Sequence, residues 1–380
     1  MIDRPENELL LCCARTQVSQ AVGTRIGALA AGQVDWDYLF QIARRHATIP
    51  LLYLQLDRYA NQFVPPEFLA RLKRHYQENA ARNTILAAEL CRIVELLARE
   101  EIEAFPYKGP ALALFAYGNL ALRRFVDLDV IVRKSDVLRA RDLLIADGYT
   151  PTKSLTAAQQ ELLLRTQHNL QFARDNNRLL LELHWEVAPH LFASSVQENE
   201  LWQNLETITI NGTEMKTLGT GDLLFSLCVH GSRHLWERLG WICDVAELTA
   251  RHELDWPALQ QRAAAADSER MFLLGLHLAR KLLQAELPAE IQTRCESDPR
   301  LESLAENVIS HLFNGPTHVP ATSREIFKYN IGVRRSLAAR TRYFVHMLQP
   351  TDSDVGKYHL PNGLSFAYYL TRPFRLFFRS

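Results

Sequence analysis

The sequence predicts an α+β protein, mostly helical, with a small mixed-sheet core between two helical regions. Three observations predict it. Apolar residues recur at spacings of three and four up to about residue 100 and again beyond residue 219. Between those stretches the period drops to two in several short runs. Glycine is sparse, 16 in 380 residues, as suits long helices. A chain this long exceeds one ordinary core, so we expect an N-terminal helical region (1–100), an α/β core (101–218) and a C-terminal helical domain (219–380).

In the first region the clearest helix carries Leu86, Leu90, Ile93 and Leu97 behind a candidate cap at Asn83. Pro50 and the Pro65-Pro66 pair mark breaks between helices, and His46 closes one. The pattern then predicts a strand over 104–108, a helix over 110–117 and a second strand over 127–133. An amphipathic helix over 135–147 is expected to be capped by Ser135 and stopped at Gly148. Strands over 168–174 and 178–187 are joined through Asp175-Asn176-Asn177, and Asn211-Gly212 tips a further hairpin. A long helix is expected over 223–248, with more helices after it.

Composition narrows the function. Hydrophobic residues at 47% and charged residues at 23% are those of a soluble globular protein. The 43 basic and 43 acidic residues cancel, which makes nucleic acid an unlikely obligate partner. Residues 1–6 show no basic-then-apolar pattern, and the longest apolar run, 271–279, cannot span a bilayer; a cytoplasmic location is expected. Six scattered cysteines without Cys-x-x-Cys spacing read as buried free thiols.

The chemistry concentrates in two places. Tyr107-Lys108-Gly109 ends a strand in a glycine turn that opens a helix, whose free amides and dipole suit a phosphate. Some twenty residues on, Asp127 and Asp129 share one face of a strand while Leu128, Val130 and Val132 share the other. Two adjacent carboxylates repel unless a cation lies between them. Alternation on 179–187 sends Leu181, Leu183 and Trp185 to the core and Glu182, His184 and Glu186 to the opposite face. With that strand beside the aspartate strand, Glu182 completes a cluster able to hold two cations. Arg123, ahead of the strand, is the candidate for neutralising triphosphate, and its neighbour Arg124 reads as a surface residue. His230, His234, Glu237, Trp241 and Asp244 fall on one helical stripe, read as facing the α/β unit, with His230 and Arg233 as phosphate contacts.

These features resemble the nucleotidyltransferase superfamily with its polymerase-β-like fold. They are most similar to its little-characterised bacterial branch found among peptide and polysaccharide biosynthesis genes. The matching positions are Tyr107-Lys108-Gly109, Tyr117-Gly118, Arg123, Asp127-Leu128-Asp129, Gly148-Tyr149, Glu182-Leu183-His184-Trp185, 228–234, 241–244 and 369–376. The resemblance implies Asp127, Asp129 and Glu182 as magnesium ligands and Gly109 against the nucleotide phosphates. Two departures stand out: Gly109-Pro110 replaces the usual Gly-Ser, and Glu182 replaces an aspartate. Both leave room for altered or lost catalysis.

The expected activity is magnesium-dependent transfer of a nucleoside monophosphate from a nucleoside triphosphate to a hydroxyl or phosphate. The acceptor would be a small molecule, peptide or saccharide, and two Mg2+ ions are expected. A nucleotide-binding regulator or scaffold without catalysis, or a toxin of nucleotidyltransferase type, are the competing expectations. The cation- and aromatic-rich segment 372–379 reads first as docked on the helical domain and second as a peripheral membrane contact.

Overall fold

The computed structural model describes residues 4–153, 156, 159, 163–165, 167–187, 198–315, 317 and 320–347. The 372–379 segment lies outside them.

Five helices open the chain: α1 Pro5–Cys13, α2 Gln20–Ala30, α3 Trp36–Arg45, α4 Ile49–Tyr59 and α5 Pro66–Arg99. Prolines sit in the first turns of α4 and α5, where no intrahelical N–H is lost. Asn83 does not cap a helix. It lies inside the 34-residue α5, fully buried, and its Nδ2 donates to Leu120 O (2.6 Å) and Arg123 O (2.8 Å). Its amide satisfies loop carbonyls, so a local cap signal became a tertiary tether.

The middle of the chain gives β1 Ala104–Pro106, α6 Gly109–Tyr117, β2 Leu128–Val132, α7 Val137–Ala146, β3 Thr150–Pro151, β4 Asn169–Arg174 and β5 Leu179–His184. The five strands form one sheet in the order β1-β2-β5-β4-β3. Only β2 and β5 run parallel; the other pairs are antiparallel. Ser135 caps nothing: Lys134–Asp136 make a 3-10 turn, and α7 begins uncapped at Val137. Gly148 does end that helix, at φ 95°. A short helix α8, Glu198–Gln203, precedes the hairpin β6 Leu205–Ile210 and β7 Thr213–Leu218, turned by Asn211 and Gly212 at positive φ.

Eight helices follow among the described residues: α9 Thr220–Arg233, α10 Leu239–Arg251, α11 Trp256–Ala265, α12 Glu269–Leu283, α13 Ala289–Ser297, α14 Pro299–Leu312, α15 Ser323–Gly332 and α16 Leu337–Met347. The single helix expected over 223–248 is two. Leu235 and Trp236 take left-handed backbone (φ 54° and 52°), and the Trp236 amide returns to Gly231 O at 2.8 Å. The fully buried indole then packs on Gly231, where a Cβ would stand 2.4 Å from the ring. Burying that side chain outweighs helix continuity.

Two apolar clusters hold the molecule. One joins residues of α1–α4 and the start of α5 to α9–α15. The other packs Leu86, Leu90, Ile93 and Leu97 of α5 and Val137, Ala140 and Leu144 of α7 on the sheet face bearing Leu128, Val130, Leu181 and Leu183. The opposite sheet face carries Asp129, Glu182 and His184 beside Phe105 and Ile131, which join the first cluster. All six cysteines are free thiols, five of them buried. No described helix is long and apolar enough to cross a membrane.

Candidate active site

In the parallel pair, Asp129 stands opposite Glu182 and Ile131 opposite His184. Strand alternation therefore brings Asp129, Glu182 and His184 together on the face away from α5 and α7. His184 Nε2 lies 3.1 Å from Asp129 Oδ1 and 3.2 Å from Glu182 Oε2. On the far side of β5, Asn169 Nδ2 and Gln171 Nε2 each donate to a Glu182 oxygen at 2.8 Å. Lys108 Nζ sits 3.6 Å from Asp129 Oδ1 and donates to Tyr107 Oη at 3.1 Å.

The charges follow from these contacts. Burial works against the Asp129 carboxylate, but Lys108 and His184 outweigh it and hold its pKa below the usual range. Burial likewise opposes the Glu182 charge, and hydrogen bonds from His184 and Gln171 bring it down to about 2. For His184 burial opposes the cation, while Asp129 and Glu182 favour it more, so its pKa is raised. Its Nδ1 is buried without a hydrogen-bond partner.

Asp127 differs. It is the residue just before β2, half-buried, and its carboxylate makes no hydrogen bond or ion pair among the described residues. Burial, then the negative charges of Asp129 and Glu182, push it up to about 6. Ligand atoms of Asp129, Glu182 and His184 all lie within 4.8 Å of one another. Two carboxylates converge here on an imidazole that pairs with both, a set able to hold a divalent cation, and a third carboxylate without a hydrogen-bond partner among the described residues lies two residues before Asp129.

Gly109 adopts φ 53°, and a Cβ there would stand 3.2 Å from Asp127 O. Its lack of a side chain lets α6 start against the aspartate strand. Arg123 is clamped by Asp244, Nε to Oδ1 at 2.8 Å and Nη2 to Oδ2 at 3.0 Å, with Tyr117 Oη donating to Oδ1 at 2.7 Å. The sequence placed Asp244 on the histidine stripe but gave no signal of this pairing across 121 residues. Nor did it flag Asn169 and Gln171 as partners of Glu182, although β4 alternation puts both on the Glu182 face.

Helix α9 brings its stripe over the polar sheet face. Arg233 Nη1 lies 3.2 Å from His168 Nε2, and the His168 ring is 5.8 Å from that of His184. The His230, His234 and Trp241 rings form a cluster with centroids 4.7–5.6 Å apart, despite the break in the helix. Burial, aided by Lys108, lowers the His230 pKa, and burial with Arg233 brings His234 down to about 3, so both rings stay neutral.

A sequence profile described as an uncharacterised nucleotidyltransferase matches residues 32–284. The chain belongs to that family. Membership carries nucleotidyl transfer as the general activity and a nucleotide as substrate. The match spans every residue of this site, from α3 to α12, and so includes the helices on both sides of the sheet. No curated protein and no solved structure matches the chain.

Proposed function

We propose that this nucleotidyltransferase moves a nucleoside monophosphate from a nucleoside triphosphate onto a hydroxyl or phosphate of an acceptor, with release of pyrophosphate. The observation that carries the reading is the convergence of Asp129, Glu182 and His184, beside the unpartnered Asp127, on one sheet face. Asp127 and Asp129 would hold two divalent cations, Mg2+ in the first instance, and Glu182 would bind the one beside the acceptor hydroxyl. A bound cation supplies charge withdrawal from the triphosphate and a lowered pKa at the acceptor hydroxyl. His184, Asn169 and Gln171 set the spacing of the carboxylates, as outer partners of metal ligands do. Lys108, Gly109, His230 and Arg233 line the phosphate side, and Arg123 acts through its field from its clamp on Asp244. Six free thiols fit a cytoplasmic location.

The test is pyrophosphate release from a panel of triphosphates with and without Mg2+, repeated with Asp127→Asn/Asp129→Asn. Equal turnover by the variant sinks the mechanism. A second reading, a nucleotide-holding scaffold without catalysis, is favoured by one observation: His184 already counters the charge of both Asp129 and Glu182. Tight triphosphate binding in a calorimeter, with no product from any acceptor, would select it.

A further inference from the structure

The chain has no net charge, yet one cluster of cations goes uncompensated. Arg124 is exposed at the start of the segment that leads into Asp127. Arg82, from the middle of α5, donates to Val126 O at 3.2 Å, which puts it against the same segment. Arg238 is the residue before α10 and lies 5.6 Å from the Trp241 ring centroid. Arg44, in the last turn of α3, is held nearby, because His46, two residues on, accepts the Leu239 amide at Nδ1 (3.2 Å) and the Gly240 amide at its carbonyl (3.0 Å). None of the four pairs with a carboxylate among the described residues. Burial and then Arg82, Arg238 and Arg44 lower the Arg124 pKa, as expected when like charges crowd one another. Most other arginines of the sheet region, Arg92, Arg123, Arg133 and Arg174 among them, face an acid.

The cluster borders the site on two sides. Arg82 touches the residue before Asp127, and Arg238 reaches Trp241, whose ring meets His230. Lys108, by contrast, is already committed to Asp129 and Tyr107. The Arg123–Asp244 clamp ties the segment of Arg124 to α10, which starts beside Arg238, so the four guanidinium groups stand near the carboxylates and repel one another until an anion arrives. Guanidinium pairs suit phosphate oxygens, which they grip in bidentate fashion.

We propose that Arg44, Arg82, Arg124 and Arg238 form a phosphate-binding subsite for the acceptor, which is a phosphate-bearing small molecule. The assignment of that phosphate to the acceptor rests on the transfer reading; the subsite itself does not. Balanced overall charge favours a small phosphorylated compound over a polynucleotide backbone, which would call for a longer basic track.

The test is calorimetric titration of the full chain with sodium pyrophosphate, without divalent cations, so that no turnover is needed. Arg124→Ala/Arg238→Ala should weaken binding by about tenfold or more, whereas Arg124→Lys/Arg238→Lys retains most of it and Arg133→Ala, whose guanidinium already faces Glu103, changes it little. The alanine pair should melt no lower than the parent, since it relieves repulsion. Unchanged affinity in the alanine pair, or an equal loss in Arg133→Ala, overturns the proposal. So does a twelve-nucleotide single-stranded RNA that binds far more tightly than pyrophosphate through the same arginines. A protein that binds the probe through Arg124 and Arg238 but releases no pyrophosphate from any triphosphate keeps the subsite and loses the transfer reading.

Discussion

Asp129 stands directly opposite Glu182 on the neighbouring parallel strand, and His184 Nε2 lies within 3.2 Å of a carboxylate oxygen of each. Asp129→Asn keeps the shape of this arrangement and removes one charge. Pyrophosphate release should fall on the order of 10³-fold, the worth of several kcal/mol of lost metal stabilisation. Asn169→Ala and Gln171→Ala, which only free Glu182 to swing, should cost roughly 10- to 100-fold. A comparable loss in all three would mean that position, not charge, is what Asp129 supplies.

The clamp of Asp244 on Arg123 is nearly dry, with side-chain exposures of 2% and 12%. Asp244→Ala leaves the guanidinium and the Tyr117 hydroxyl without their acceptor. Urea unfolding should show a loss of about 3 kcal/mol or more, and Arg123→Met/Asp244→Leu should recover part of it. A double variant as unstable as the sum of the singles would rule out a direct pair.

Acid should weaken the fold through its buried histidines. Burial, with Arg45 alongside, holds the His46 pKa down to about 3, and its two ring nitrogens serve Leu239 N and Leu312 O. A folded-state pKa below the unfolded value of about 6.5 means that the unfolded chain takes up the proton first. The full stability is therefore present above pH 6.5 and drains as pH falls from there towards 3. Each such histidine, His46 and His234 alike, steepens the loss by about 1.4 kcal/mol per pH unit. Melting temperatures between pH 7.5 and 5 should fall less steeply in His46→Gln, and identical slopes would refute the assignment.

Gly109→Ala places a Cβ at 3.2 Å from Asp127 O and on a left-handed backbone. The strain should cost about 1–2 kcal/mol. Because the yielding partner is the Asp127 peptide, activity should drop further than stability does, as seen in kcat against melting temperature.

Period-two alternation was enough to put Asp129, Glu182 and His184 on one face, because strand geometry leaves a side chain only two choices. Alternation fixes the face but not the register, and Asp129 stands against Glu182 because β2 and β5 pair in parallel. What stayed hidden is long-range. Asn83 reads as a cap because its residue type favours one, yet burial against the 120–123 loop decides its role. The split of the 223–248 helix carries no proline or glycine at 235–236, and only the burial of Trp236 reveals it. The choice between Arg123 and Arg124 was equally invisible: the carboxylate that engages Arg123 comes from α10, and Arg124 is the one left without an acid.

Helix α5 is seated at Phe68 and Leu72 in one apolar cluster and at Leu86, Leu90, Ile93 and Leu97 in the other. At 34 residues it is a beam about 51 Å long. Its middle carries Asn79, Arg82 and Asn83, which grip the segment leading to Asp127. A proline spliced into that middle would unmoor the carboxylates from the front helices while leaving both clusters their own grease, so the carboxylate-bearing face owes its alignment to a girder anchored at both ends.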